Sequence, residues 1–156
     1  MATHDITVGT AGYSWDGSAM STVLSQRITA TVADPLVTGD TYQLWHMPAG
    51  TICKAGWFVI RTVDVSTGTI TINATSTAAT VPMVTTGAVR GAVGTAILPA
   101  TGWVYKWFEV AGTIDVVIGT ANITTLVVDI YVEIMNTTVR ADKALDHIHA
   151  SSVPTV

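Results

Sequence analysis

A pair of histidines near the end of the chain has the spacing of metal ligands. His147 and His149 are separated by one residue, and in a β-strand this spacing places both imidazoles on the same side. A metalloenzyme would need a carboxylate and another histidine after them, yet the seven residues that follow contain neither. We therefore predict no metal site and no cofactor. Pooling of histidines from several copies at a three-fold axis remains the alternative.

Two carboxylates could form the acid and base pair of a glycosidase. Asp129 and Glu133 share one face of a predicted strand, but four residues of strand separate them by about 13 Å, more than such a pair needs. We interpret them as part of a solvated outer sheet face. The sequence contains no GxSxG, HExxH, P-loop or dinucleotide-binding motif. We predict no catalytic residues and no enzymatic activity.

The single cysteine, Cys53, permits no disulfide within the chain, which suits folding in a reducing cytoplasm. It lies at the beginning of an apolar run, between Ile52 and Lys54. This setting predicts a small buried hydrophobic residue rather than a nucleophile.

Three aromatic residues form a row with period two: Trp103, Tyr105 and Trp107. On an exposed sheet face such a row could stack on sugar rings, whereas facing inward or toward a second subunit it would be core or interface. The opposite face of the same segment is also apolar, through Val104, Phe108 and Val110. We therefore expect the row to form core and subunit interface, with carbohydrate binding as the alternative.

Composition limits the classes of function. The 156 residues suffice for one domain, and only 12% of them are charged while 49% are hydrophobic. So low a charge predicts a surface that is covered in an oligomer or assembly. The net charge of −4 argues against nucleic-acid binding. The N-terminus does not look like a signal peptide, and the longest uncharged stretch, 65–89, contains Pro82 and many threonines, so we expect no membrane segment.

Alternation of apolar and polar residues predicts an all-β domain of about eight strands, an antiparallel two-sheet sandwich of jelly-roll type. The predicted strands are Ser21–Ala33, Thr41–His46, Gly56–Val65, Thr69–Asn73, short edge strands within 83–98, Trp103–Val110, Thr113–Gly119 and Thr124–Met135. The last strand has the clearest pattern, with Leu126, Val128, Ile130, Val132 and Ile134 on one face. We divide the chain into an N-terminal arm (1–18), the sandwich (19–139) and a C-terminal extension (140–156).

Turn residues predict how the strands are connected. Met47–Gly50 is a turn between two strands, with Pro48 and Gly50 at positions that suit them. Ser66–Gly68 predicts a three-residue hairpin, and Ala111–Gly112 predicts a two-residue turn. The small polar segment 74–82 is too long for a hairpin and predicts a connection that crosses from one sheet to the other.

One segment resembles a known family. The residues Asp40, Gln43 and Leu44, followed by a turn of Pro48, Ala49, Gly50 and Thr51 and then a long apolar strand, resemble the jelly-roll decoration (cement) proteins of tailed-phage heads. This resemblance implies a homotrimer that binds the major capsid protein on the outer surface of the virion and stabilises neighbouring capsomers. In that setting His4, Asp5, Tyr13 and Trp15 of the arm are candidate capsid contacts.

Two other functions stay open. One is a carbohydrate- or receptor-binding module of a tail fibre that uses Trp103, Tyr105 and Trp107. The other is a cupin-like metalloenzyme that uses His147 and His149, which rests on fold class alone.

Overall fold

The computed structural model of the chain describes residues 2–5, 21–99, 101–102 and 105–136. Within these ranges all regular structure is β-strand, and there is no helix. The strands are β1 (Thr3–Asp5), β2 (Thr22–Thr29), β3 (Thr41–Met47), β4 (Thr51–Thr62), β5 (Thr69–Ser76), β6 (Thr80–Ala88), β7 (Ala96–Ile97), β8 (Lys106–Trp107), β9 (Gly112–Gly119) and β10 (Val127–Asn136).

The strands form two sheets. The first sheet has the order β1-β3-β9-β5-β6, and the second has the order β2-β10-β4-β7, with β8 also paired to β4. All pairs are antiparallel except β1 with β3. β7 and β8 are short and lie along the same edge of β4, so we count them as one strand. The strands after β1 then number eight and are divided between the two sheets as in a jelly roll. The predicted all-β sandwich is confirmed.

The core lies between the sheets and is formed by one alternate set of side chains from each strand. In β10, Val128, Ile130, Val132 and Ile134 are buried, as the sequence pattern predicts. In β9 the same is true of Ile114, Val116 and Ile118, and in β5 of Ile70 and Ile72.

Cys53 belongs to this core, as predicted. It is fully buried, and its Sγ lies 3.1 Å from Sδ of Met83. Burial raises the pKa of the Cys53 thiol to about 12, so the reactive thiolate is strongly disfavoured.

The turn that carries the family resemblance joins the two sheets. β3 belongs to the first sheet and β4 to the second, so the predicted strand, turn and strand are present as a link between sheets. Gly50 has φ = 81°, a conformation that favours glycine. Its N–H donates to the carbonyl of Phe108 (2.7 Å), which attaches the turn to the segment after β8.

Three predicted connections are wrong. The link after β4 is not a hairpin, because β4 and β5 lie in different sheets. Residues 74–82 do not cross between sheets: β5 and β6 pair as a hairpin, and Ser76 N–H donates to the carbonyl of Ala79 (2.9 Å). Nor do β8 and β9 pair across residues 111–112, since β8 lies beside β4. Turn length therefore did not distinguish a hairpin from a crossover.

The crossover after β4 depends on a buried carboxylate. Asp64 is fully buried and accepts hydrogen bonds from the N–H groups of Ser66 (2.6 Å), Thr124 (2.7 Å) and Thr125 (2.8 Å). Burial alone would raise the pKa of Asp64, but these donors outweigh it and hold the pKa far below its usual range. Asp64 thus ties the β4–β5 crossover to the segment that leads into β10.

Two predicted strands are shorter than expected. β2 ends at Thr29 rather than at Ala33, and Val32 is 79% exposed, because residues 31–34 close a turn in which Thr31 and Asp34 exchange backbone hydrogen bonds. The predicted strand Trp103–Val110 is reduced in the described residues to β8.

Candidate interaction surface

The outer face of the second sheet carries large and charged side chains. Side chains alternate between the two faces along each strand. The odd-numbered residues of β10 and their neighbours on β2 and β4 therefore point away from the core. This outer face consists of Val23, Ser25 and Arg27 of β2, Ile52, Lys54, Trp57, Val59 and Arg61 of β4, and Asp129, Tyr131, Glu133 and Met135 of β10.

At one end of this face, one carboxylate lies between two guanidinium groups. Asp129 accepts hydrogen bonds from Nε (2.7 Å) and Nη2 (3.0 Å) of Arg27 and from Nε of Arg61 (2.7 Å). The hydrogen bond from Arg27, followed by that from Arg61, lowers the pKa of Asp129 to about 2. Our interpretation of Asp129 as solvated is wrong, because the residue is only 8% exposed.

Glu133 has a different cation as its partner. Its carboxylate accepts a hydrogen bond from Nζ of Lys54 (2.6 Å), which lowers the pKa of Glu133. The same ammonium donates to Oγ of Ser21 (2.8 Å). Asp129 and Glu133 therefore each complete a separate ion pair and do not act on a common substrate position.

An aromatic pair occupies the middle of the face. The rings of Trp57 and Tyr131 are stacked, with centroids 5.5 Å apart and planes inclined by 13°. They are directly opposite each other on β4 and β10. Sequence reasoning missed this pair, because only knowledge that β4 and β10 are neighbours brings the two residues together.

The other end of the face is apolar. Trp107 of β8 is directly opposite Ile52, and Tyr105 lies one residue before β8. A pocket of about 380 Å³ is lined there by Ile52, Lys54, Tyr105, Glu133 and Met135. We call Ile52, Tyr105, Trp107 and Met135 the apolar end.

The structure corrects part of the prediction for the aromatic row. Tyr105 and Trp107 are 60% and 51% exposed, so they are not core, whereas Phe108 is fully buried. Val110, expected to help cover the other side of the strand, is also exposed. The row loses its regular pattern because, of the described residues 105–110, only 106 and 107 pair with β4. Trp103 lies outside the described residues.

The beginning of the predicted arm is attached to the first sheet. β1 pairs in parallel with β3, which places His4 opposite Tyr42 and Asp5 opposite Gln43. The His4 ring stacks on Tyr42, with centroids 4.7 Å apart, and its Nε2 lies 2.9 Å from Oδ2 of Asp40. The backbone N–H of Ala2 donates to Oδ1 of Asp40 (2.6 Å) and, together with His4, lowers the pKa of Asp40. Tyr13 and Trp15 lie outside the described residues.

The outer face of the first sheet is different. It presents mainly hydroxyl and amide side chains, including Thr69, Thr71, Asn73 and Thr75 of β5. In its centre Asp115 of β9 is directly opposite Gln43 on one side and Asn73 on the other. Asp115 is 4% exposed, and its buried Oδ1 has no hydrogen-bond partner among the described residues.

Neither a metal centre nor a membrane helix is present in the part of the chain that the structure describes. No three His, Cys, Asp or Glu residues lie close enough there to hold a metal ion, and no helix is long and apolar enough to cross a bilayer. His147 and His149 lie outside this part.

Comparison with known proteins identifies similar folds in phage capsids. No family model matches the chain, and no curated protein matches it. A chain in the capsid of Ralstonia phage GP4 is similar over 86% of this chain and 99% of its own length, with a TM-score of 0.57 and 13% identity. A chain in the capsid asymmetric unit of cyanophage Pam1 is similar over 75% of this chain and 85% of its own, with a TM-score of 0.52 and 16% identity. At these identities the likeness shows that the chain shares its fold with components of two phage capsids.

Proposed function

We propose that this chain is a structural protein of a phage head, and more specifically a decoration protein that binds the outer capsid surface. The observation that carries the proposal is the fold similarity to chains from two phage capsids, one of which is matched over 99% of its length. The matched component is thus no larger than this chain, as suits an accessory subunit. The Pro48–Thr51 turn supports the same family, and the low charged fraction of 12% suits a protein that works in an assembly.

The proposed mechanism is stabilisation by mass action. Each bound copy buries surface on adjacent capsid subunits, and subunits must lose those contacts before they separate. No catalytic step, cofactor or nucleic acid takes part. The protein is made in the host cytoplasm and acts on the outside of the head, with the major capsid protein as its partner.

We assign the apolar end to contacts between copies in a homotrimer. Tyr105 and Trp107 are large, half-exposed aromatic residues beside a pocket lined by Ile52 and Met135, and such residues are enriched where subunits meet. The arm residues His4, Asp5, Tyr13 and Trp15 remain candidates for contact with the capsid. Of these, His4 is attached to the body of its own chain through Asp40.

The proposal is tested by co-sedimentation of the purified protein with expanded phage shells that lack it, after light scattering has established its size. We expect a trimer that saturates the shells and raises their melting temperature. The test variant is Trp107→Ala at the apolar end. Its matched control is Val65→Ala, which changes an 81% exposed residue outside the apolar end. A monomer that ignores shells would contradict the proposal.

The exposure of Tyr105 and Trp107 favours one second candidate, a carbohydrate-binding module. Polysaccharide pull-down that is lost in both Tyr105→Ala and Trp107→Ala, together with no binding to shells, would support this function instead.

A further inference from the structure

Among the described strands, β2 forms a long edge of the second sheet, and no other strand pairs with its open side. A sheet edge offers unpaired backbone groups to other chains, and proteins usually protect such edges with short strands, prolines or bulges. β2 has eight residues, contains neither proline nor glycine, and pairs with β10 without a register shift from Thr22 to Thr29. Within the described residues β2 therefore lacks these three kinds of protection, and its one charged residue is Arg27.

The other edges of the sandwich are protected. In the first sheet, the described part of β1 has three residues, and β6 contains Pro82, register shifts against β5 and a positive φ of 47° at Thr86. In the second sheet, β7 and β8 cover part of the far side of β4. Among the described strands, β2 is thus the edge best suited to accept another strand.

The direction of the backbone groups on β2 follows from one hydrogen bond. The N–H of Ala30 donates to the carbonyl of Leu126 (2.8 Å), and hydrogen-bonded pairs alternate along an antiparallel ladder. Ile28, Gln26 and Leu24 therefore bond to β10, while the backbone groups of the intervening residues point to the open side. These residues are Val23, Ser25, Arg27 and Thr29, and all four are exposed.

Open clefts flank the same edge. One of about 350 Å³ is lined by Ser25, Arg27, Asp129 and Tyr131, on the side of the outer face. Another of about 470 Å³ lies between β2 and the segment 34–37, with His4 and Tyr42 at its border. An incoming strand would therefore find space on both sides of β2.

The charge beside the edge indicates what the incoming strand carries. Arg27 and Arg61 share the single carboxylate of Asp129, which leaves an excess of positive charge. Their side chains are 61% and 45% exposed, whereas that of Asp129 is 11% exposed. A residue opposite Arg27 on a neighbouring strand would lie about 5 Å from it between Cβ atoms, within reach of a charge-assisted hydrogen bond.

We propose that the open edge of β2 binds an extended segment of a capsid subunit, by strand addition, with an Asp or Glu opposite Arg27. This inference rests on the proposed function. It assigns the capsid contact to β2 and leaves the apolar end for contacts between copies.

The test compares Ser25→Pro with Ser25→Ala in binding to expanded shells. Proline at position 25 removes an N–H that points to the open side, so the pairing of β2 with β10 is retained. We expect Ser25→Ala to bind like the unchanged protein and Ser25→Pro to bind at least about tenfold more weakly. Melting curves of the two free variants establish that both are folded.

Hydrogen exchange of the unchanged protein on shells gives a second readout that needs no variant. We expect the peptide covering 22–29 to gain protection on binding, whereas the peptide covering 80–88, which is the edge strand β6 of the first sheet, does not. Shell binding without protection of 22–29, or with full affinity of a folded Ser25→Pro, would overturn the inference while the decoration function stands.

Two further outcomes are distinguishable. Protection of 22–29 in the free protein that rises with its concentration would show that a second copy occupies the edge, and would overturn the assignment to the capsid. Failure of the unchanged protein to bind shells at all would remove the proposed function, and the inference with it.

Discussion

The outer faces of the two sheets follow the same alternation but have different chemistry, and their central carboxylates show the difference most clearly. Asp129 in the second sheet is held by Arg27 and Arg61. Asp115 in the first sheet lies between Gln43 and Asn73, and no group in the described part of the chain hydrogen-bonds its Oδ1. Both carboxylates lie on strands whose inward residues are equally apolar.

The inward residues of both sheets are apolar and specify the sandwich. The outward residues differ between the two sheets and determine what each outer face can bind. The second sheet presents stacked aromatic rings, ion pairs and the apolar end, which are groups that bind other molecules strongly. Around Asp115, the first presents mainly threonine and amide side chains, which are small and uncharged. We therefore place the contacts that we propose, between copies and with the capsid, on the second sheet and its edge.

The largest expected effect comes from the apolar end. Replacement of both Tyr105 and Trp107 by alanine removes two half-exposed aromatic anchors, and we expect the association of copies to weaken by about 2–4 kcal/mol. We expect light scattering to show a trimer for the unchanged protein and a monomer for this variant at the same concentration. Binding to shells should also weaken, because a monomer loses the benefit of several simultaneous contacts.

The matched control for this prediction lies on the other face. Thr71→Ala and Thr75→Ala change the outer face of the first sheet, and we expect neither to alter the trimer or binding to shells. If these variants dissociated the trimer and the aromatic variants did not, the assignment of the two faces would be reversed.

A smaller effect is expected at the ion pairs. Asp129→Asn leaves Arg27 and Arg61 without a carboxylate, and we expect the melting temperature to fall by about 2–4 °C, because both guanidiniums remain substantially exposed to water. Calorimetry at low and high salt would measure it. An unchanged melting temperature at low salt would show that the pairs do not stabilise the fold.

The dependence of stability on pH should also reveal the contribution of Asp129. Asp129 has a pKa of about 2 in the folded protein, below the ordinary value of 3.8, so its contribution to stability is complete above about pH 4 and is lost as the pH falls toward 2. The pKa of Asp64 is also lowered, so the effect adds to that of Asp129. Unfolding at pH 5 and pH 3 should show a smaller loss for Asp129→Asn than for the unchanged protein, and an equal loss would contradict this role.

The smallest effect, and one of opposite sign, is expected at Asp115. Asp115→Asn replaces a buried carboxylate that has an unpartnered oxygen with a neutral amide of the same shape. We expect the free energy of unfolding to stay unchanged or to rise by up to about 1 kcal/mol. A clear loss of stability would mean that a bound group satisfies Asp115 in solution.

The sequence predicted the positions of the strands better than it predicted which strands lie next to each other. The alternation of β10 is a local pattern, and its buried residues were identified correctly. The hairpin expected at Ser66–Gly68 was wrong because the direction of the chain there depends on Asp64, whose donors at Thr124 and Thr125 are about 60 residues away.

The same limit applies to the candidate surface. Tyr105 and Trp107 were recognised because they belong to one local row. The cluster around Asp129 was missed because Arg27 and Arg61 are 102 and 68 residues away from it in sequence. Their meeting requires the strand order β2-β10-β4, which turn chemistry does not encode.

The most direct test of the decoration role is a cryo-electron microscopy map of phage heads that carry this protein. The account predicts jelly-roll trimers on the outside of the shell, with Tyr105 and Trp107 between copies, a capsid strand beside β2, and the outer face of the first sheet in contact with solvent. A map that places the protein inside the shell, in a tail fibre, or with the first sheet's outer face buried against the capsid would contradict it.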